Sequence, residues 1–260
     1  HMSGQTHAVS LAASTDLAAA SGADLVLFCV KSPDTDAVAR QLAPLLKPDA
    51  LVISLQNGVD NAETLARHLT QAVVPAAVYV ATAMPAPGEV HHHGQGHLVI
   101  GPINAAAAAD AALMSRLQSV VDLFASAEVS VRVSPDVFGE LWRKLIVNCA
   151  YNAVSGLTRQ PYGRMADLPA IVDLQRAVVR EVVAVAQAAG QTIDLDASMA
   201  AMAAIATTMP GQRSSTAQDM ARGRPTEIDH LNGFVVRRGA ELGVPTPLNQ
   251  ALHALVKLVD

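Results

Sequence analysis

Apolar positions in the first half of the chain fall in short runs separated by polar stretches with helical spacing. Asp24 to Val30 reads Asp-Leu-Val-Leu-Phe-Cys-Val, a buried strand. Lys31-Ser32-Pro33-Asp34 leads from it into a helix with Ala37, Val38, Leu42, Leu45 and Leu46 on one face. Leu51 to Leu55 is a second such run, closed by Gln56-Asn57-Gly58 and followed by a helix with Leu65 and Leu69 on one side; Ala77 to Ala81 is a third strand. Strands that alternate with helices predict a parallel sheet covered by helices. The rhythm breaks at Met84-Pro85-Ala86-Pro87-Gly88, a turn signal, after which Val90 to Gly101 reads as a hairpin with Gly94 and Gly96 near its tip. Antiparallel strands are thus expected to finish the sheet, followed by a helix from about Ala107 to Ala127 and a strand from Val129 to Val133.

From Ser134 onward the pattern is helical. Ser134-Pro135 offers an N-cap and a proline at the first helical position, and a second helix runs from near Pro169 to Ala189 and stops at Gly190. Ser215 opens Ser-Thr-Ala-Gln, which has capping-box spacing, and Thr226 precedes a helix ending near Gly243, placing Glu227 in its first turn. The fold class predicted is α/β: a sheet domain over residues 1–133, then an all-helical carboxy-terminal domain over residues 134–260.

Composition narrows the function. The chain has 260 residues, a net charge of -5 and charged residues at only 16%, so no basic field directs it to nucleic acid or to an anionic membrane surface. No stretch reaches the length of apolar sequence that a membrane span needs. A small-molecule partner is the expectation. Cys29 and Cys149 each sit in apolar runs, as buried thiols of a reducing, cytoplasmic compartment do.

Within the helix after Ser134, Lys144, Asn148 and Asn152 recur at four-residue steps among the apolar Leu141, Leu145, Ile146, Val147 and Ala150. A core face would not carry a lysine and two amides, and a solvent face is richer in charge, so the stripe is expected to line a polar cleft; an exposed stripe of incidental spacing is the alternative. Glu227, near a helix start, could equally serve the helix dipole, Ser215 could be a cap, Asn57 a loop residue and Lys31 a strand-end lysine. The latter two nonetheless follow strands at the end where open α/β sheets bind ligands. The triplet His91-His92-His93 is not expected to hold a metal, since adjacent strand residues face opposite sides.

These segments resemble ketopantoate reductases. Leu141 to Thr158 is similar to the signature helix of that family, Arg213 to Met220 and Thr226 to Gly233 resemble its second and third signatures, and Val30-Lys31 and Gln56-Asn57-Gly58 resemble its cofactor-side motifs. The resemblance covers most of the chain. It implies an NADPH-dependent reduction of 2-dehydropantoate to pantoate, a step toward pantothenate. Lys144 would be the general acid, and Asn148 and Asn152 would hold the substrate and orient the lysine. Glu227 would bind the substrate 4-hydroxyl, Ser215 its carboxylate, and Lys31, Asn57 and Glu227 would stand on the cofactor side. Related 2-keto acid or imine reductases of the same superfamily share the lysine pattern, and a non-enzymatic module that keeps the helical domain is a further reading.

The family opens with a strand and a Gly-x-Gly-x-x-Gly turn whose backbone amides hold the cofactor pyrophosphate. No segment of this sequence matches it, and His1 to Leu11 resembles the family's segment after its second nucleotide-binding strand. The sheet domain is therefore expected to be a partial Rossmann-like one, with roughly sixty residues of the family pattern outside this sequence. A chain of this kind is expected to bind NADPH weakly. An open edge at Leu25 to Val30 would be covered either by self-association, for example as a homodimer, or by the chain's own amino-terminal residues.

Overall fold

The structure, a computed structural model, describes residues 6–260. Residues 1–5 lie outside the described residues, as do the side chains of 93 and 95, so the histidine triplet is described only at His91 and His92. The chain forms two compact units, one of His1–Gln56 with Asp60–Val137 and one of Asn57–Val59 with Phe138–Asp260.

The first unit is built on a five-stranded sheet with the strands in sequence order. β1 (Leu25–Phe28), β2 (Leu51–Ser54) and β3 (Ala72–Ala86) are parallel, β4 (Glu89–Ile100) returns antiparallel to β3, and β5 (Ser130–Val133) runs parallel to β4. Successive residues of the inner strands enter opposite cores. Val52 and Val73 join Phe28, Leu42 and Leu65 beneath α1 (Thr35–Leu42) and α2 (Asn61–Ala66). Leu51, Ile53 and Val74 join Leu117 and Val131 beneath α4 (Ala111–Ser126). A sheet covered on both faces explains why these strands read as unbroken apolar runs and not as alternating ones. Each such buried side chain contributes about 1.5 to 3 kcal/mol relative to exposure.

Three local expectations are corrected. Val90 to Gly101 is not a hairpin on its own; all but Gly101 lies in β4, which pairs with β3, and the turn between them is at Pro87-Gly88, where Gly88 has φ +78. Gly94 and Gly96, at φ +144 and +128, sit inside the strand beside the register shifts at Tyr79/Val80 and Ala81/Thr82. Glycine marks an irregularity of the strand there and not a turn, since both residues lie within β4 and glycine accepts the positive φ at no steric cost. Next, the helix expected over Ala107 to Ala127 is divided into α3 (Ala105–Ala109) and α4. Asp110 has extended backbone and caps α4 by accepting from the amides of Ala112 and Leu113, which ends one helix and starts the next. Finally, the antiparallel pairing expected late in the sheet is that of β3 with β4, but it does not finish the sheet, which β5 extends parallel to β4 through the α3–α4 crossover.

The second unit is all-helical. It comprises α5 (Val137–Thr158), which starts at the last residue of the first unit, then α6 (Tyr162–Ala166), α7 (Pro169–Ala188), α8 (Leu195–Thr208), α9 (Ser215–Ala221), α10 (Asn232–Leu242) and α11 (Pro247–Val259). The Ser134 hydroxyl accepts from the Asp136 amide 3.1 Å away, in the turn before α5, so the helix opens at Val137 and Pro135 is not its first residue. The buried side chains of this unit include Trp142, Leu145 and Ile146 of α5, Val178, Val182 and Val185 of α7, Val235 of α10 and Val256 of α11, and the Trp142 ring lies 5.5 Å from that of Phe234 of α10.

Candidate active site

α5 presents Lys144, Asn148 and Asn152 on one face, as the four-residue spacing requires. At 1.5 Å per residue that face spans about 12 Å from Lys144 to Asn152. Two clusters of the second unit form along it. At one end Lys144 Nζ donates to Asn57 Oδ1 at 2.9 Å, and Asn57 Nδ2 donates to Glu227 Oε2 at 3.3 Å. At the other, Asn152 Nδ2 donates to Ser215 Oγ at 3.5 Å, a long contact.

Each of these positions has a local cause. Asn57 is placed by the turn after β2, where Gly58 takes φ +93, a conformation that side-chain-bearing residues rarely adopt. Ser215 is not the cap that its spacing suggested. Ser214 is the N-cap of α9, its buried hydroxyl accepting from the Ala217 amide at 3.1 Å and donating to the Asn152 carbonyl at 3.3 Å. Ser215 is thereby left in the first turn with an exposed side chain. Capping is therefore not its role. α9 can lie this near α5 because Gly156 has no side chain: a Cβ there would come within 2.9 Å of Thr216 Cγ2 and 3.2 Å of Met220 Sδ.

Glu227 also departs from expectation. It is not in the first turn of an α-helix but immediately precedes a 3-10 turn, Ile228–His230, and α10 begins only at Asn232. A helix dipole does not account for a carboxylate at this position. Glu227 is only 7% exposed, so its charge needs partners, and Asn57 and the Lys144 ammonium answer it.

Burial pushes the Lys144 ammonium down to about 8, against the opposing pull of the Glu227 carboxylate. A lysine in this state is still mostly protonated at neutral pH and gives up its proton far more readily than an exposed one. An ammonium held by an amide, next to a carboxylate and a row of further amide and hydroxyl groups, can donate a proton to an oxygen that becomes negative during reaction.

Lys31 belongs to the first unit, exposed, at the carboxyl end of β1. Asn57 follows β2 at the corresponding end, and its amide is the link between Lys144 and Glu227. The family resemblance puts Asn57 on the cofactor side and gives no sign of that link. A buried network behind these loops is likewise absent from the motifs. Gln56 Nε2 donates to the Val30 carbonyl at 3.0 Å and to Thr35 Oγ1 at 2.6 Å, Thr35 Oγ1 donates to Asn61 Oδ1 at 2.9 Å, and Asn61 Nδ2 donates to Ser32 Oγ at 3.0 Å. Gln56 next to Asn57-Gly58 is its visible signal, since a glutamine ending an apolar strand must find partners.

As to a nicotinamide cofactor, the strand-end loops carrying Lys31 and Gln56-Asn57-Gly58 have the polar groups and the location that open α/β sheets offer a dinucleotide. A Gly-x-Gly-x-x-Gly turn is not in the sequence. The residues present supply polar groups for the reactive end of such a group.

Comparison with known proteins places the chain in a family. Residues 2–105 match the family model described as ketopantoate reductase PanE/ApbA, and residues 136–260 match the model of its carboxy-terminal part. The 2-dehydropantoate 2-reductase of Vibrio cholerae is 32% identical over 239 residues, covering 92% of this chain and 78% of that protein. A PanE/ApbA family ketopantoate reductase from Ralstonia eutropha has a crystal structure similar to this one, with a TM-score of 0.88 and 50% identity, covering 97% of this chain and 81% of that one. D-mandelate dehydrogenase, solved with NADH and anilino(oxo)acetate, shares the fold at a TM-score of 0.83 and 20% identity, covering 91% of this chain and 75% of that one.

Proposed function

Since this chain belongs to the ketopantoate reductase family, we propose that it reduces 2-dehydropantoate to pantoate with NADPH, and that Lys144 supplies the proton. The observation that carries the reading is the Lys144–Asn57–Glu227 chain of hydrogen bonds on the polar face of α5. Reduction of a ketone places negative charge on its oxygen, and a buried ammonium with a proton to give both neutralises that charge and completes the alcohol. Bound NADPH would supply the hydride to the ketone carbon. Asn57 fixes where the Lys144 ammonium points, and Glu227 keeps it charged and can accept a hydrogen bond from a substrate hydroxyl. Asn148, Asn152 and Ser215 supply amides and a hydroxyl along the same face, suited to a carboxylate.

The test is a steady-state assay following nicotinamide absorbance, in the 260-residue chain and in a form extended at its amino terminus. Expected is a higher kcat/KM for 2-dehydropantoate than for benzoylformate or for 3,3-dimethyl-2-oxobutanoate, which lacks only the 4-hydroxyl, and a higher one with NADPH than with NADH. The value of kcat/KM should fall as pH rises through about 8, because that is where Lys144 loses its proton. No turnover in either form, or a rate that climbs through that window, would overturn the assignment.

A further inference from the structure

Resting on the reading above, we propose that α11 is a positioning element for Glu227, and that Asp260, His253 and Lys257 set the preference for a keto acid bearing a 4-hydroxyl. Residues 253, 257 and 260 fall on one side of α11 and its end, spaced so that each faces the turn that carries Glu227. On the amino-terminal side of Glu227, the Asp260 side chain receives two bonds from Thr226, from the backbone amide to Oδ1 at 3.0 Å and from the hydroxyl to Oδ2 at 2.9 Å. On its carboxy-terminal side, Asp229 Oδ1 meets His253 Nε2 at 2.6 Å and Asp229 Oδ2 accepts from Lys257 Nζ at 2.9 Å. The residue before Glu227 and the residue two positions after it are thus both held by one helix.

The clamp has the stiffness the role needs. Burial works against the Asp229 carboxylate, but the bonds from His253 and Lys257 hold it below the usual carboxylate range. The His253 ring lies against Gly233 of α10, where an added Cβ would come within 2.8 Å of its Nε2. Thr226 is buried at 4% exposure, so its hydroxyl has no ready substitute for the Asp260 carboxylate. The 3-10 turn that follows Glu227 is too short to orient a side chain by itself. A carboxylate that must meet both an ammonium and a substrate hydroxyl needs that external support, because misplacement by about 1 Å can cost up to about a hundredfold.

The experiment compares kcat/KM for 2-dehydropantoate and for its deoxy analogue 3,3-dimethyl-2-oxobutanoate in the wild type, Glu227→Ala, Asp260→Ala, Thr226→Val and Thr226→Ser. Glu181→Gln serves as a control. Glu181 anchors the other end of α11 by accepting from the amides of Leu248 and Asn249, both at 2.9 Å, so it should lower the melting temperature without changing the substrate ratio. Asp260→Ala and Thr226→Val are expected to reduce the preference for the hydroxylated substrate about tenfold, through KM, while kcat for the deoxy substrate stays within about twofold. Thr226→Ser, which keeps both donors, should retain the preference. If the wild type prefers the hydroxylated substrate and Glu227→Ala abolishes that preference while Asp260→Ala and Thr226→Val keep it, the positioning role is wrong and the proposed function stands. If the wild type shows no preference, the role assigned to Glu227 falls and this inference falls with it.

Discussion

Lys144→Ala is expected to lower kcat at least about a hundredfold, the usual scale for a general acid. In the structure Lys144 is the ammonium on the polar face of α5, its Nζ 2.9 Å from Asn57 Oδ1, with the Glu227 carboxylate acting on it electrostatically. Alanine removes the proton and the positive charge together, whereas Lys144→Arg keeps the charge but not a proton that can be given up near neutral pH, and should remain impaired. The loss is not one of folding. With its proton affinity pushed down to about 8 from 10.5, the charged form of Lys144 is the one the folded state disfavours. Its charge therefore costs stability below about pH 8, and that cost fades as pH rises from there toward the unfolded value. The alanine variant should melt no lower than the wild type at neutral pH. Steady-state kinetics paired with calorimetry on an active form of the enzyme check both halves, and unchanged turnover would remove Lys144 from the acid role.

Glu227→Ala is expected to raise KM for 2-dehydropantoate by about ten- to 150-fold, which corresponds to about 1.5 to 3 kcal/mol for a buried hydrogen bond to a charged group. The same replacement has a second consequence of independent sign. Glu227 opposes the downward shift of Lys144, so removing its charge should carry the alkaline fall in kcat/KM to lower pH, below the window near 8. Glu227→Gln separates the two effects: the amide retains an acceptor for the hydroxyl, so KM rises less, while the alkaline limb moves as it does for alanine. A KM and a limb both indistinguishable from wild type would show that Glu227 faces neither substrate nor lysine.

How far the sequence carries is clearest on α5. Its apolar positions and the Lys144, Asn148, Asn152 spacing follow from 3.6-residue periodicity, which is a local property, and so helix and polar face are both legible in the amino-acid order alone. The same holds for the strand run Leu51–Ser54, apolar on both faces because helices cover each side of the sheet, whereas the apolar run at Leu25–Phe28 misleads about burial, since Leu27 is 43% exposed and Cys29, expected to be a buried thiol, is exposed as well. Glycine and serine signals are less decisive, as a φ-positive glycine serves a bulge as well as a turn, and of two adjacent serines, Ser214 and Ser215, either could cap α9. Only the backbone geometry chose Ser214 and left Ser215 beside Asn152.

What local pattern could not contain is the company each residue keeps. Lys144 meets Asn57 across 87 positions of sequence and Asn57 meets Glu227 across 170. The sequence by itself determined which residues have the chemistry: a lysine and two amides on a helix too apolar to be an exposed one, and a carboxylate near a turn. The tertiary structure decided that the asparagine after β2 is the link between lysine and carboxylate, and that α11 grips the turn on both sides of Glu227. The physical reason is that periodicity reports only which side of an element is buried, whereas a hydrogen bond between distant segments depends on how helices pack, and packing is set by the whole core at once.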